Sequence, residues 1–159
     1  MQTVYIETTI PSYLAAHASS QEPMASHQRA THQWWNEERS RFLVFASIVV
    51  RSEIARGDAG AAARREVYVQ GIPDIDVSPE TTRLATEIVR VLRLPPKAEA
   101  DASHVALCIL HRMDYLLTWN CTHLANPVLQ KELIDYCTYH HLHVPVICTP
   151  EYLTTQTHD

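Results

Sequence analysis

The stretch that decides the fold is DASHVALCILHRMDYLLTWN, which runs from Asp101 to Asn120. The segment Ala98–Arg112 contains neither glycine nor proline and has the residue spacing of one helical face, so it predicts a helix. The segment Tyr115–Trp119 is a short apolar run of the kind that forms a buried strand in a parallel sheet. The stretch therefore predicts a helix followed by a strand, the repeating unit of α/β folds.

Polar side chains stand at both ends of this unit. Asp101 lies at the start of the predicted helix, where free backbone N–H groups and the helix dipole favour an ionised carboxylate. Asn120 directly follows the predicted strand. Because open α/β sheets bind ligands at the carboxyl ends of their strands, we expect Asp101 and Asn120 to frame one site.

Length and composition limit the class of protein. The 159 residues predict a single domain, residues 1–159, that is long enough to bury a core. No apolar run approaches the roughly 20 residues of a membrane helix, and MQTVYIETT lacks a signal-peptide pattern, so we expect a soluble cytoplasmic protein with no membrane contact. The net charge of -5 argues against gross electrostatic capture of nucleic acid but leaves room for a local basic patch.

Cysteines and histidines do not define a metal site by themselves. The chain has four cysteines, none in a C-x-x-C pair: Cys108, Cys121, Cys137 and Cys148. We interpret them as buried thiols of a reducing compartment. The cluster of His140, His141 and His143 is interpreted as a polar loop after a helix, with a zinc site as the less favoured alternative.

Strands and helices alternate along the rest of the chain. Besides Tyr115–Trp119, four strands are predicted: Thr3–Ile6, Arg41–Ala46, Pro73–Val77 and Val144–Cys148. The predicted helices are Ser12–Ala16, Met24–Arg39, Ile48–Arg56, Asp58–Gln70, Pro79–Leu92 and Val128–His140. This alternation predicts a three-layer α/β/α sandwich with a mainly parallel sheet.

Two further carboxylates stand out by their positions. Glu7 directly follows the first predicted strand. Glu53 lies on or beside the apolar face of the helix Ile48–Arg56, which begins after the predicted N-cap Ser47. A carboxylate there needs a partner, because an unpaired buried charge is costly. The partner is either Arg56 or another arginine, or a metal ion.

Oxygen ligands thus occupy related positions at strand ends and in helices: Glu7, Glu53, Asp101 and Asn120. Hard oxygen donors without thiolate or imidazole suit Mg²⁺ or Mn²⁺. One or two such ions can activate a water molecule and stabilise the leaving oxygen of a phosphodiester. Because acidic residues are common at helix starts, this spacing alone is only a weak indication of a nuclease.

Three segments resemble the PIN domain family, and within it the VapC-type toxins of bacterial toxin–antitoxin pairs. They are VYIETTIPSYL at residues 4–14, SIVVRSEIARG at 47–57 and ADASHVALCILHRMDYLLTWNCTHLANP at 100–127. The third segment is the most specific, and the resemblance covers nearly the whole chain. It implies a PIN-like fold and a metal-dependent endoribonuclease that cleaves single-stranded RNA. It also implies an antitoxin partner and a homodimer.

The same resemblance implies the site residues. The family's three acidic positions match Glu7, Glu53 and Asp101, and its fourth, commonly an Asp, falls on Asn120. In this arrangement the three acids hold the metal, while Thr118 and Asn120 position water or a second ion. Glu7 is one methylene longer than the usual Asp, which shifts its carboxylate oxygens. Asn120 lacks the charge of an Asp, so we expect weaker metal binding. We expect a retained site because all four positions carry an oxygen donor; the alternative is a catalytically weakened module that binds RNA or a protein partner.

Four side chains near these segments are candidate contacts to RNA phosphates: Arg51, Arg56, Lys97 and His123. For each, the alternative is a solvated surface charge. His104, about one turn after Asp101, is interpreted as a histidine on the helix surface.

Overall fold

The computed structural model describes residues 1–154, in which four parallel strands form one sheet. The strands are β1 (Thr3–Ile6), β2 (Leu43–Phe45), β3 (Tyr115–Leu117) and β4 (Val146–Cys148). Their order across the sheet is β2-β1-β3-β4, and each neighbouring pair is parallel. The α/β class and the parallel sheet are confirmed.

Seven α-helices accompany the sheet within the described residues. They are α1 (Thr9–Ala15), α2 (Met24–Gln33), α3 (Ile48–Ile54), α4 (Ala59–Val69), α5 (Pro79–Val91), α6 (Glu99–Leu110) and α7 (Pro127–Tyr139). Each predicted helix is present with ends shifted by a few residues. The largest difference follows α2, where a π-helical turn at Trp34–Glu38 and a 3₁₀ turn at Arg39–Arg41 replace a regular helix.

The prediction of a strand at Pro73–Val77 is wrong. This segment makes a single parallel bridge, between Ala46 and Asp74, in which the Ala46 N–H donates to the Pro73 carbonyl and the Ile75 N–H donates to the Ala46 carbonyl. Proline supplies no N–H to extend a ladder. The Asp74 side chain binds Arg51, and Ile75 is the one buried residue of the segment.

Apolar burial explains the central strands. Val4, Tyr5 and Ile6 of β1 and Leu116 and Leu117 of β3 have no exposed surface, as expected for strands covered by helices on both faces. Helix α6 is buried along most of its length and packs against α5, α3 and β3. The core therefore fixes α6 beside the sheet, with the first turn of the helix carrying Asp101.

The parallel register brings the carboxyl ends of the strands together. Ile6 pairs with Leu117, so Glu7 and Thr118 follow at the same edge of the sheet. The backbone continues this register, because the Glu7 N–H donates to the Leu117 carbonyl at 3.0 Å. Ser47 caps α3 as predicted, since its side chain accepts from the Val49 and Val50 N–H groups.

The expectation that all four cysteines are buried is wrong for two of them. Cys108 and Cys137 are buried, but Cys121 is exposed and Cys148 only half-buried, so the four thiols do not share one environment. Trp34 is fully buried in the core. Within the described residues, no helix is long and apolar enough to cross a membrane.

Candidate metal and nucleic-acid site

Glu7 holds its carboxylate at the start of α1. The side chain is buried, and its Oε1 accepts hydrogen bonds from the hydroxyls of Thr9 at 2.6 Å and Thr118 at 2.7 Å. The Thr9 N–H lies 3.2 Å from both carboxylate oxygens. The first N–H groups of a helix have no partner inside the helix, so a carboxylate is favourable there. The two threonines thus fix Glu7 and use mainly one of its oxygens.

Glu53 is held in the same way from α3. Its Oε1 accepts from the Thr8 hydroxyl at 2.8 Å and lies 2.6 Å from Nε2 of His104. Burial is the largest influence on the pKa of Glu53 and raises it. Hydrogen bonds from His104 and Thr8 and electrostatic interactions with His104 and Arg56 together outweigh burial and lower the pKa below its usual value. The carboxylate charge is therefore stabilised by its surroundings.

The structure corrects two expectations about His104 and Glu53. His104 has no exposed surface, although it was expected on the helix surface. The reason is that α6 is buried on almost all sides, so position 104 has no solvent face. The main partner of Glu53 is His104 rather than an arginine.

Asp101 and Asn120 are joined through His123. Oδ2 of Asp101 lies 3.1 Å from Nδ1 of His123, and Oδ1 of Asn120 accepts the His123 backbone N–H at 2.9 Å. The Asn120 N–H in turn donates to the Thr118 hydroxyl at 2.9 Å. The turn after β3 therefore connects the first turn of α6 to the Thr118 side chain.

Together these contacts form a ring at the carboxyl edge of the sheet. Each residue of the ring is hydrogen-bonded to the next one, is next to it in the sequence, or lies one turn away from it on the same helix. In order, the members are Glu7, Thr118, Asn120, His123, Asp101, His104, Glu53 and Thr8. All five residues predicted as catalytic, and the predicted RNA contact His123, belong to this ring. We call it the carboxylate ring.

The donor set of the ring fits Mg²⁺ or Mn²⁺ by its chemistry. Oδ1 of Asp101 and Oε2 of Glu53 make no hydrogen bond within residues 1–154, and Oε2 of Glu7 has only the longer Thr9 contact. Each carboxylate thus keeps an oxygen for a hard cation. Across the described part of the chain, no three His, Cys, Asp or Glu side chains are already gathered closely enough to hold an ion. For all three acids to share one ion, Glu7 and Asp101 would have to approach Glu53, whose carboxylate is held by His104 and Thr8.

The remaining predicted RNA contacts differ in their surroundings. The Arg51 guanidinium binds both oxygens of Asp74 at 2.8 and 2.9 Å and donates to the Ile72 carbonyl at 2.8 Å, which ties α3 to the segment after α4. Arg56 and Lys97 are exposed. Arg56 lies three residues after Glu53, and Lys97 lies four residues before Asp101. Arg56 and Lys97 are therefore close in the sequence to members of the carboxylate ring, and both are accessible to solvent.

An aromatic stack supports the turn that follows β3. The Trp119 ring stacks on His27 with centroids 4.1 Å apart and on Tyr13 at 5.7 Å. Its Nε1–H donates to the Thr31 hydroxyl at 2.7 Å, and its backbone N–H donates to Thr9 at 2.8 Å. This packing orients both neighbours of Trp119, Thr118 and Asn120. Sequence patterns do not reveal it, because its members come from α1, α2 and the loop after β3.

The four-stranded parallel sheet, its order and the carboxyl-edge position of the acids define a PIN-like α/β/α fold. Among solved structures, one chain in the crystal structure of VapBC2 from Rickettsia felis bound to a DNA fragment from their promoter has this fold. The alignment covers 93% of the present chain and 98% of that chain, with a TM-score of 0.57 and 11% sequence identity. The VapC-like fold expected from the sequence is thereby confirmed. No family model and no curated protein matches the chain.

Proposed function

We propose that this protein is a metal-dependent endoribonuclease that cleaves single-stranded RNA. The observation that carries the proposal is the carboxylate ring, which contains Glu7, Glu53 and Asp101 at the carboxyl edge of a PIN-like sheet, the edge where such sheets bind ligands. The fold likeness to a VapBC2 chain supports the same activity class.

Glu7, Glu53, Asp101 and Asn120 would hold Mg²⁺ or Mn²⁺. When bound, such an ion lowers the pKa of a coordinated water and offsets charge on the leaving oxygen of a phosphodiester. The protein's part is to orient the ligands: Thr118 fixes Glu7 through a 2.7 Å hydrogen bond, and His123 contacts Asp101 at 3.1 Å. Because Asn120 is uncharged, the site carries one negative charge fewer than four acids would give. We therefore expect this site to bind Mg²⁺ or Mn²⁺ more weakly than a site with four acids.

RNA would be bound by cations placed around the carboxylate ring. Arg56 and Lys97 are exposed, and His123 is half-buried beside Asp101, which supports the proposal that these three side chains contact phosphates near the metal ligands. Arg51 is the fourth candidate, and it would have to leave Asp74 to take part. The net charge of -5 favours a few local contacts over a broad basic surface.

We also propose that the protein is the cytoplasmic toxin of a toxin–antitoxin pair and forms a homodimer. The support is the resemblance of its segments to VapC-type toxins and the fold likeness to a chain of VapBC2. Induced expression should then arrest bacterial growth, and co-expression of the antitoxin, sought in a neighbouring small reading frame, should restore it. Growth that is unaffected by the active protein would contradict the toxin assignment.

Cleavage of a labelled single-stranded RNA by the purified protein tests the central proposal. Cleavage should occur with Mn²⁺ or Mg²⁺ and stop with a chelator, and the same sequence as duplex RNA or as DNA should be cut more slowly. Absence of cleavage by a folded sample on a panel of RNAs would contradict the nuclease. If that sample still bound RNA, the result would support the alternative, a catalytically weakened module that binds RNA.

A further inference from the structure

A chain of short hydrogen bonds runs through the interior from Ser47, the N-cap of α3, to Glu53 on the same helix. The Ser47 hydroxyl lies 2.7 Å from the Tyr5 hydroxyl, which lies 2.7 Å from Nδ1 of His104. Nε2 of His104 lies 2.6 Å from Oε1 of Glu53. Ser47, Tyr5 and His104 have no exposed surface. We call these three residues the buried chain.

Hydrogen-bond chemistry sets the direction of donation along the buried chain. An ionised carboxylate can only accept, so Nε2 of His104 carries the proton that is donated to Glu53. In the neutral imidazole, Nδ1 is then an acceptor and takes the Tyr5 O–H. The Tyr5 oxygen can accept from Ser47, whose own oxygen accepts the Val49 and Val50 N–H groups. Every polar group of the chain is thus satisfied, which is what a buried network requires to be stable.

We propose that His104 is a positioning residue for the metal-binding carboxylate of Glu53, with Tyr5 and Ser47 holding the imidazole in place. The proposal rests on the proposed function, because Glu53 is taken as a metal ligand there. Oε1 of Glu53 accepts hydrogen bonds from both His104 and Thr8, so the carboxylate cannot rotate freely. Oε2 therefore remains for the ion. Residues that orient a ligand in this way change metal affinity by about 10–100-fold when they are removed.

Two substitutions separate this role from simple core packing. The amide nitrogen of glutamine reaches about as far as Nε2, so His104→Gln keeps the donor to Glu53. His104→Asn keeps a polar atom near Tyr5 but withdraws the donor from Glu53. Both place a carboxamide in the same buried site. A purely structural histidine would make the two variants similar in metal binding, whereas positioning of Glu53 makes them differ.

Binding of Mn²⁺ alone, measured by paramagnetic resonance of the free ion, is the direct readout. The parent and His104→Gln should bind with similar affinity, and His104→Asn should bind about 10–100-fold more weakly. Saturating Mn²⁺ should restore RNA cleavage by His104→Asn, because only the position of a ligand has been lost. Circular dichroism and thermal unfolding confirm that each variant is folded.

The outcomes test the positioning role of His104 separately from the proposed metal-dependent function. Parent-like Mn²⁺ affinity in folded His104→Asn overturns the positioning role and leaves the nuclease standing. A parent that binds no Mn²⁺ overturns the metal-dependent function, and the positioning role with it. If His104→Asn does not fold, Tyr5→Phe provides the test, because it removes one oxygen and keeps the ring. It should weaken Mn²⁺ binding by less than the loss expected for His104→Asn, and unchanged affinity would overturn the proposal.

Discussion

The hydroxyl of Thr118 donates a 2.7 Å hydrogen bond to Oε1 of Glu7, and this bond joins the carboxyl ends of β3 and β1. The same hydroxyl accepts the Asn120 N–H at 2.9 Å. Thr118 has no exposed surface, so water does not replace either partner. One buried hydroxyl thus connects the acid after the first strand to the turn that carries Asn120 and His123.

Removing that hydroxyl should destabilise the protein. In Thr118→Val the shape is kept, but the Glu7 carboxylate and the Asn120 N–H each lose a buried partner. We expect the free energy of unfolding to fall by about 1–3 kcal/mol, measured by urea unfolding. Thr122→Val is the control, because Thr122 is exposed in the same turn. A Thr118→Val protein as stable as the parent would show that the hydroxyl does not support the site.

Divalent metal should stabilise the folded protein. An ion that binds only the native state adds about 1.4 kcal/mol at ten times its Kd, so the melting temperature should rise with Mg²⁺ or Mn²⁺ concentration. Glu53→Gln should reduce the shift, since it removes a charged ligand. Glu132→Gln, on the exposed face of α7, should retain it. An equal metal-induced shift in both variants would exclude Glu53 as a ligand.

The two arginines on and after α3 should behave differently. Arg51→Met breaks the contacts to Asp74 and Ile72, and we expect a loss of about 1–3 kcal/mol in the free energy of unfolding. Arg56→Gln should leave stability unchanged and weaken RNA binding, with the slope of log affinity against log salt falling by about one. Filter binding at several salt concentrations measures the slope. If log affinity falls with log salt as steeply in Arg56→Gln as in the parent, Arg56 does not contact the RNA phosphates.

The four thiols should react at very different rates. Burial raises the pKa of Cys137 and Cys148 to about 11, and that of Cys108 well above its usual value. At pH 8 a thiol with a pKa near 11 is only about 0.1% thiolate, the reactive form. Cys121 is exposed and has a less strongly raised pKa, so alkylation followed by mass spectrometry should find it modified first, with every rate rising as the pH rises. Persistence of the fast phase in Cys121→Ser would contradict this assignment.

The sequence predicts most of the fold because its signals are local. The apolar run of β3 and the uninterrupted helix before it are both found where the pattern places them. The strand at Pro73–Val77 fails because a β-rich pattern does not show whether a neighbouring strand can complete a ladder, and here Ala46 offers one bridge only.

The sequence singles out the acids of the carboxylate ring, together with Thr118 and His123, but it does not show that His104 is buried against Glu53. Glu7 and Asp101 are visible in the sequence because they stand beside regular elements. The role of His104 depends on burial by α5, α3 and the sheet, and on Tyr5, which lies 99 positions away in the chain. Such contacts follow from tertiary packing and leave no periodic signal. The threonine pair after Glu7 was the available hint, since hydroxyls beside a carboxylate can hold it.

Cleavage of single-stranded RNA in Mn²⁺ by the parent, Asp101→Asn and Glu99→Gln tests the central claim most directly. Asp101 and Glu99 share the first turn of α6, but only Asp101 belongs to the carboxylate ring, and Glu99 is exposed. The account predicts that Asp101→Asn stays folded and loses at least about 100-fold in cleavage rate, equivalent to about 2.7 kcal/mol of transition-state stabilisation, while Glu99→Gln cleaves like the parent. A folded Asp101→Asn protein that cleaves as fast as the parent would contradict it.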